Sequence, residues 1–363
     1  MAHAKIHYTL QMENPHTHIF TVRLEVTGIQ NDYQDFKMAV WTPGSYLVRE
    51  FSKNIISVDA KSHKGNLPLE KINKNTWRVQ MNGSSVAILE YDVYAFEMSV
   101  RTSFLDSDHA MVNGASVFIY PAGMTDQEMQ VSIEPYHKWK NISTGLEKVQ
   151  GENFTYRAKN LDDLIDCPIE IGNHKIVPFK VSGIPHEYAI YGIGNYNTGK
   201  IINDTKKVLN TTFDIFGDIP YDHYTFFLYN RDNGYGGLEH QNSCSMIRSR
   251  WKYEPRKNYL GFIGLMAHEF FHTYNVKRIR PAELGPFDFE NEVYTKLLWI
   301  AEGITSYYDN QIPLRAGVIN LKEYLETISK DIKSLESIPG RKVQTISEAS
   351  FDSWVKLYRQ NEN

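Results

Sequence analysis

Leu265-Met266-Ala267-His268-Glu269-Phe270-Phe271-His272-Thr273-Tyr274 decides how the second half of this chain is read. It holds the pattern H-E-x-x-H inside a run whose only other polar members are uncharged, and the apolar spacing predicts a helix from about Asn258 to Val276. Residues four apart on a helix share a face, so His268 and His272 can aim both imidazoles at one ion. Glu269 projects beside them without being forced to ligate, which suits a base that takes a proton from an attacking water. A hydrolytic zinc site needs a third protein donor and keeps a position for water. Glu302, 30 residues beyond His272, is the candidate, because Leu298 to Tyr307 reads as a mainly apolar helix with one carboxylate. A charge on a buried helix is costly unless it is paired or bound to a metal. The rival carboxylates Glu283, Asp288, Glu290 and Glu292 lie in a polar connection where solvated charge is the ordinary reading. Ser306, one turn past Glu302, is a candidate partner for an imidazole's second nitrogen.

Moving outward from this segment, helices are expected over Thr205 to Phe216, Glu292 to Gln311 and Leu321 to Leu335, with a buried strand at Tyr224 to Tyr229. Toward the amino terminus the period changes to two. Short apolar runs at Ile6 to Leu10, Ile19 to Val26, Phe36 to Trp41, Trp77 to Val79, Val86 to Tyr94, Val117 to Tyr120 and Met129 to Ile133 alternate with turn chemistry such as Asn82-Gly83-Ser84. These imply an amino-terminal antiparallel β-sandwich over residues 1–170, followed by a mainly helical domain over 171–363. A chain of 363 residues exceeds what one core usually serves, so two domains are the expectation. Trp41 and Trp77 are expected in the core rather than on a carbohydrate-binding platform.

The formal net charge of -4 and scattered Lys and Arg offer no field for a phosphate backbone, which argues against a nucleic-acid partner. No stretch approaches the roughly 20 apolar residues of a membrane span. Met1 to His7 shows no export signal, so the reading is a soluble protein, cytoplasmic rather than periplasmic. Cys167 and Cys244 form neither a CxxC pair nor a disulfide framework, which fits either compartment.

The segments HEFFHTYNVKRIRP (His268 to Pro281) and WIAEGITSYY (Trp299 to Tyr308) together resemble the glycyl aminopeptidase family of PDZ-containing zinc metallopeptidases. WTPGSY (Trp41 to Tyr46), SVRTS (Ser99 to Ser103), NGASVF (Asn113 to Phe118) and GGLEH (Gly236 to His240) agree with it. The resemblance implies a thermolysin-like catalytic domain, one zinc per chain on His268, His272 and Glu302 with Glu269 as base, and removal of amino-terminal Gly or Ala from peptide substrates. It also implies an edge strand at Gly236 and Gly237 that pairs with substrate backbone, and a carboxylate at Glu239 for the free amine. The family pattern continues past Asn363 with more catalytic domain, a tyrosine suspected of stabilising the oxyanion, and a PDZ domain. A zinc endopeptidase, or a catalytically weak peptide-binding protein that retains the metal site, are the alternatives.

Overall fold

Alternation of apolar and polar side chains over Ile6–Gln11 and Ile19–Thr27 becomes alternation of buried and half-buried positions, as expected of strands that cover a core on one face. The computed structural model describes residues 5–359. The chain forms two units, one running to His174 and including Phe289–Asn291, the other comprising Lys175–Asp288 and the residues from Glu292 onward.

The first unit is β-rich. Its largest sheet has eight strands, with Met129–Glu134, Ile6–Gln11, Ile19–Thr27 and Val86–Tyr94 side by side at its centre, and two four-stranded sheets accompany it. The Tyr8 hydroxyl donates to the Ile119 carbonyl at 2.9 Å and the Tyr91 hydroxyl to that of Val117 at 3.1 Å, joining the large sheet to the segment of a smaller one. The wholly antiparallel expectation needs one correction, because Ile6–Gln11 pairs parallel with Met129–Glu134. More than a hundred residues separate these strands, ample chain for the crossover that parallel neighbours require. Trp41 and Trp77 are buried, leaving neither as a binding platform. A short helix, α1 (Leu161–Asp166), is capped by Asn160, whose side chain accepts from the Asp163 amide.

The second unit carries a five-stranded sheet in the order Lys175–Val181, Ile184–Tyr191, Tyr224–Arg231, Ser243–Ser249, Tyr235–Glu239. Helix α2 (Thr198–Phe216) connects the parallel pair Ile184–Tyr191 and Tyr224–Arg231. This sheet is larger than a mainly helical domain would suggest. Ser243–Ser249 escapes sequence reading because its serines look like a loop, yet six of its seven residues are buried between two neighbouring strands. Tyr235–Glu239 pairs on one side only and leaves the sheet with an open edge.

Helix α3 (Arg256–Phe271) is apolar on most of its faces and correspondingly buried, packing Phe262, Met266 and Phe270 into the core. Helices α4 (Thr305–Arg315) and α5 (Leu321–Ser337) follow, α5 opened by a capping box in which Asn320 and Glu323 exchange hydrogen bonds. The helix expected over Glu292 to Gln311 is not continuous. Its first residues are irregular, and Trp299–Ile304 forms a π-helical turn before α4 begins. The Asn275 side-chain amide explains this, since it donates to the carbonyls of Ile300 and Ala301, both at 3.0 Å, and so enters the helical ladder.

No helix among the described residues is long and apolar enough to cross a membrane. Phe226 anchors the core beneath α3, fully buried with its ring stacked 4.8 Å from that of Tyr188 and tilted against that of Phe270 at 6.1 Å. Phe226→Ala is expected to cost about 3–5 kcal/mol in denaturant unfolding; a loss below about 1 kcal/mol would show that this cluster does not hold the unit together.

Candidate metal centre

His268 lies in the last turn of α3, and His272 sits at its C-terminal cap, one turn on along the same face. Their Nε2 atoms are 3.1 Å apart and their rings nearly perpendicular at 87°. Glu302, on the π-helical turn, places Oε2 3.6 Å from each Nε2. Donors held tetrahedrally at zinc distances of about 2.0–2.1 Å are about 3.3 Å from one another. A triangle of 3.1, 3.6 and 3.6 Å therefore fits one zinc-sized ion, with a fourth position left toward the cleft.

The structure thus brings together the three residues singled out for the metal. The premise used for Glu302 needs correction, however, because its side chain keeps 42% of its surface exposed and the turn around it is only partly buried. Its place is set by Asn275 rather than by a buried helix. Asn275 bonds the carbonyls of that turn and Thr305 Oγ1 through its side chain, while its own carbonyl accepts from His272 Nδ1 at 2.8 Å. One residue ties the second imidazole to the segment that carries the carboxylate.

The first imidazole is oriented by Asp309, whose Oδ2 lies 2.9 Å from His268 Nδ1. Ser306 does not take this part, since His268 turns to Asp309 and His272 to Asn275 and Thr305. Both partners were legible as spacing: Asn275 follows His272 by three, and Asp309 follows Glu302 by seven, two turns along one face. Fixing the second nitrogen sets the tautomer and leaves Nε2 free to ligate.

Electrostatically the site is built for positive charge. Burial opposes a charge on His268, yet the Asp309 and Glu302 carboxylates outweigh it and hold the imidazole up at about 11. His272 is likewise penalised by burial but raised by Glu239 and Glu302 to about 9. Burial would push Glu302 up, and the two imidazoles instead hold it well below the usual carboxylate range. Such crowding of carboxylates around two imidazoles is what a divalent cation would relieve.

Glu269 is buried beside this triangle, and burial, reinforced by Glu239 and Glu302, pushes its carboxyl up to about 7 against the pull of the two histidines. The open edge strand Tyr235–Glu239 passes directly over it. A Cβ at Gly237 would overlap the Glu269 carboxyl group, so the glycine there makes room for the acid itself, whereas Gly236 meets nothing within 4 Å. Glu239 ends the strand, is buried, and offers an oxygen within 4.8 Å of ligand atoms of Glu269 and His272. Of the rival carboxylates, Glu290 is engaged in the first unit by Lys37 at 2.7 Å, and Glu283 accepts from Thr295 at 3.4 Å.

Comparison with known proteins gives the family of the chain. Residues 7–173 match the Peptidase M61 N-terminal domain and residues 261–363 match the M61 glycyl aminopeptidase. The chain belongs to the M61 glycyl aminopeptidase family. It is similar to a solved aminopeptidase N family protein from Idiomarina loihiensis, with a TM-score of 0.94, 35% identity, and coverage of 99% of this chain and 62% of that one. The chain thus spans about three fifths of that relative's length. An M1 zinc metallopeptidase from Deinococcus radiodurans, solved with a Tyr-Ser-Ala substrate, shares the fold at a TM-score of 0.51 and 13% identity, covering 93% of this chain and 75% of that one. A stretch of 145 residues, 40% of this chain and 16% of the other, is 24% identical to cytosolic carboxypeptidase-like protein 5 of Homo sapiens.

Removing the positioning partners should weaken zinc binding without abolishing it. Asn275→Ala and Asp309→Ala are each expected to lower zinc affinity by roughly 10–100-fold in a competition titration with a chelating dye; unchanged affinity would show that neither orients a ligand. A second expectation concerns pH. A carboxyl group raised to about 7 in the folded protein costs nothing when protonated below about pH 4.5 and destabilises progressively as pH rises through 7. In the presence of chelator, Glu269→Gln should therefore be more stable than the wild type at pH 8, by on the order of 1–3 kcal/mol, and closely matched to it at pH 4.5. Equal stability at both pH values would mean that the Glu269 carboxylate is not strained.

Proposed function

We propose that this chain is a zinc-dependent aminopeptidase, with a thermolysin-like catalytic unit that hydrolyses the first peptide bond of substrates carrying a free amino terminus, chiefly Gly or Ala. The observation that carries the reading is the convergence of His268 Nε2, His272 Nε2 and Glu302 Oε2 on one point, with the Glu269 carboxylate alongside. When bound there, zinc supplies Lewis acidity at neutral pH and positive charge where negative charge develops on the scissile carbonyl.

The chain's own residues supply the rest. Glu269, raised to about 7, is poised to accept a proton from the attacking water near neutral pH and then to donate one to the departing amine. The open edge of Tyr235–Glu239 offers backbone groups for pairing with an extended peptide, and Gly236 leaves space for it. Glu239 lies at the end of that strand, buried beside the base, where a carboxylate would hold a free α-ammonium and set the cut at the first bond. The selection of small first residues comes to this chain from the family resemblance.

Two substitutions separate the roles. Glu269→Gln is expected to retain about one zinc while losing roughly a hundredfold or more in turnover of glycyl and alanyl amides. Retained turnover would instead favour a binding protein with an idle metal site. Glu239→Ala should remove the preference for free over N-acetylated peptides; if the wild type cuts blocked peptides as fast as free ones, the activity is that of an endopeptidase.

A further inference from the structure

The face of α3 that carries His268 continues back toward the start of the helix. Lys257, Gly261, Gly264 and His268 follow one another at intervals of four and three, which places them on one side, and the last three stay partly open to solvent. A Cβ at Gly264 would meet nothing within 4 Å. The edge strand lies along the same stretch. The Tyr235 hydroxyl donates to the Gly261 carbonyl at 3.4 Å, and Gly237 stands over Glu269, about two turns further on, so strand and helix point the same way. At the far end of this face α5 begins, held against the start of α3 by Arg256, which donates to both Glu323 oxygens at 2.8 Å and to the Val318 carbonyl at 2.7 Å. Between the two helices lies an open trough of about 880 Å³, with Lys257, Lys322 and Lys330 in its walls beside Leu321 and Leu325. Among the described residues, Glu326 is the only acid in those walls, and no ion pair engages any of the three lysines.

We propose that Lys257, Lys322 and Lys330 form a subsite for the terminal carboxylate of the substrate, so that the enzyme favours short peptides with a free carboxyl end. The direction of the peptide follows from the amine site. Glu239 lies beside Glu269 and His272, the later of the two histidines. A chain whose amine is held there crosses the metal toward His268 and continues back along α3, antiparallel to the edge strand, until it meets Lys257. Lys257 precedes His268 by eleven residues, about 16 Å of helix, and an extended peptide covers about 3.3 Å per residue, so its fifth or sixth residue comes level with the lysines. Shorter peptides end before the trough, and longer ones carry their carboxylate past it. Each exposed lysine attracts a carboxylate only weakly and through a field that salt screens, so the preference is the joint effect of the three. Leu321 and Leu325 offer apolar contact to the last side chains.

This inference rests on the aminopeptidase reading, and the test keeps the two apart. Glycyl-oligoalanine peptides of increasing length, each as the free acid and as the amide, are titrated calorimetrically into zinc-loaded Glu269→Gln, which reads binding without cleavage, and their kcat/KM is measured on the wild type. Acids of about five or six residues are expected to bind roughly three- to tenfold more tightly than the matching amides, with the gap absent for dipeptides and reduced at high salt. Lys257→Gln combined with Lys330→Gln should close that gap while leaving the turnover of glycyl and alanyl amides unchanged. Acids and amides that bind alike at every length, or a gap that survives the double substitution, overturn the proposal and leave the peptidase reading intact. A wild type that releases no amino-terminal residue from any of these peptides overturns the peptidase reading, and with it the direction on which this subsite depends.

Discussion

Three candidate ligand atoms from two separate segments are held within about one zinc–ligand bond length of a common point, and the rest of the second unit answers to that constraint. Two of them come cheaply, since a helix places His268 and His272 on one face by its period alone. The third arrives from a segment 30 residues on, and its position is fixed by Asn275, which bonds the carbonyls of the Glu302 turn while its own carbonyl orients His272. The cost of that arrangement is visible as a π-helical turn where regular hydrogen bonding gives way to the inserted amide.

Around this point the charges are arranged so that the protein alone does not balance them. Asp309, Glu302, Glu239 and Glu269 surround two imidazoles, raising both histidines, while burial and the neighbouring carboxylates raise Glu269. A site in this condition favours a cation, and it holds a carboxylate, the proposed base, whose proton affinity sits near neutrality. The edge strand closes the arrangement from above. Gly237 allows Glu269 to stand directly under the strand, and Glu239 ends the same strand two residues later. The proposed metal ligands, base and amine acceptor are thus presented by a helix end, a helical turn and a strand, all backed by the aromatic core around Phe226 and Phe270.

Much of this was legible in the sequence because the chemistry is local. H-E-x-x-H encodes two ligands and a base through helical spacing, and the amino-terminal strands announce themselves by alternation with turn residues between. Glu302 was legible as a residue but for the wrong reason: its side chain is half exposed, and what places it is a hydrogen bond from a residue distant in the sequence. The spacing of Asn275 from His272 is visible in the sequence, but the carbonyls that its amide reaches are set by the fold. Ser243–Ser249 was hidden because small polar residues can fill an interior strand when neighbours cover both edges. The parallel pairing of Ile6–Gln11 with Met129–Glu134 was hidden because strand direction depends on the whole intervening chain. The roles of Gly236, Gly237 and Glu239 came only from resemblance, since a glycine pair before an acid reads equally well as a turn.

The account stands on coordination by two imidazoles and the Glu302 carboxylate, which X-ray absorption at the zinc edge reports directly. Protein loaded with one equivalent of zinc should show a nitrogen and oxygen shell at about 2.0–2.1 Å with the multiple scattering of two imidazoles, and Glu302→Ala should alter that shell while keeping both rings. A spectrum without two imidazoles, or one that Glu302→Ala leaves unchanged, would contradict it.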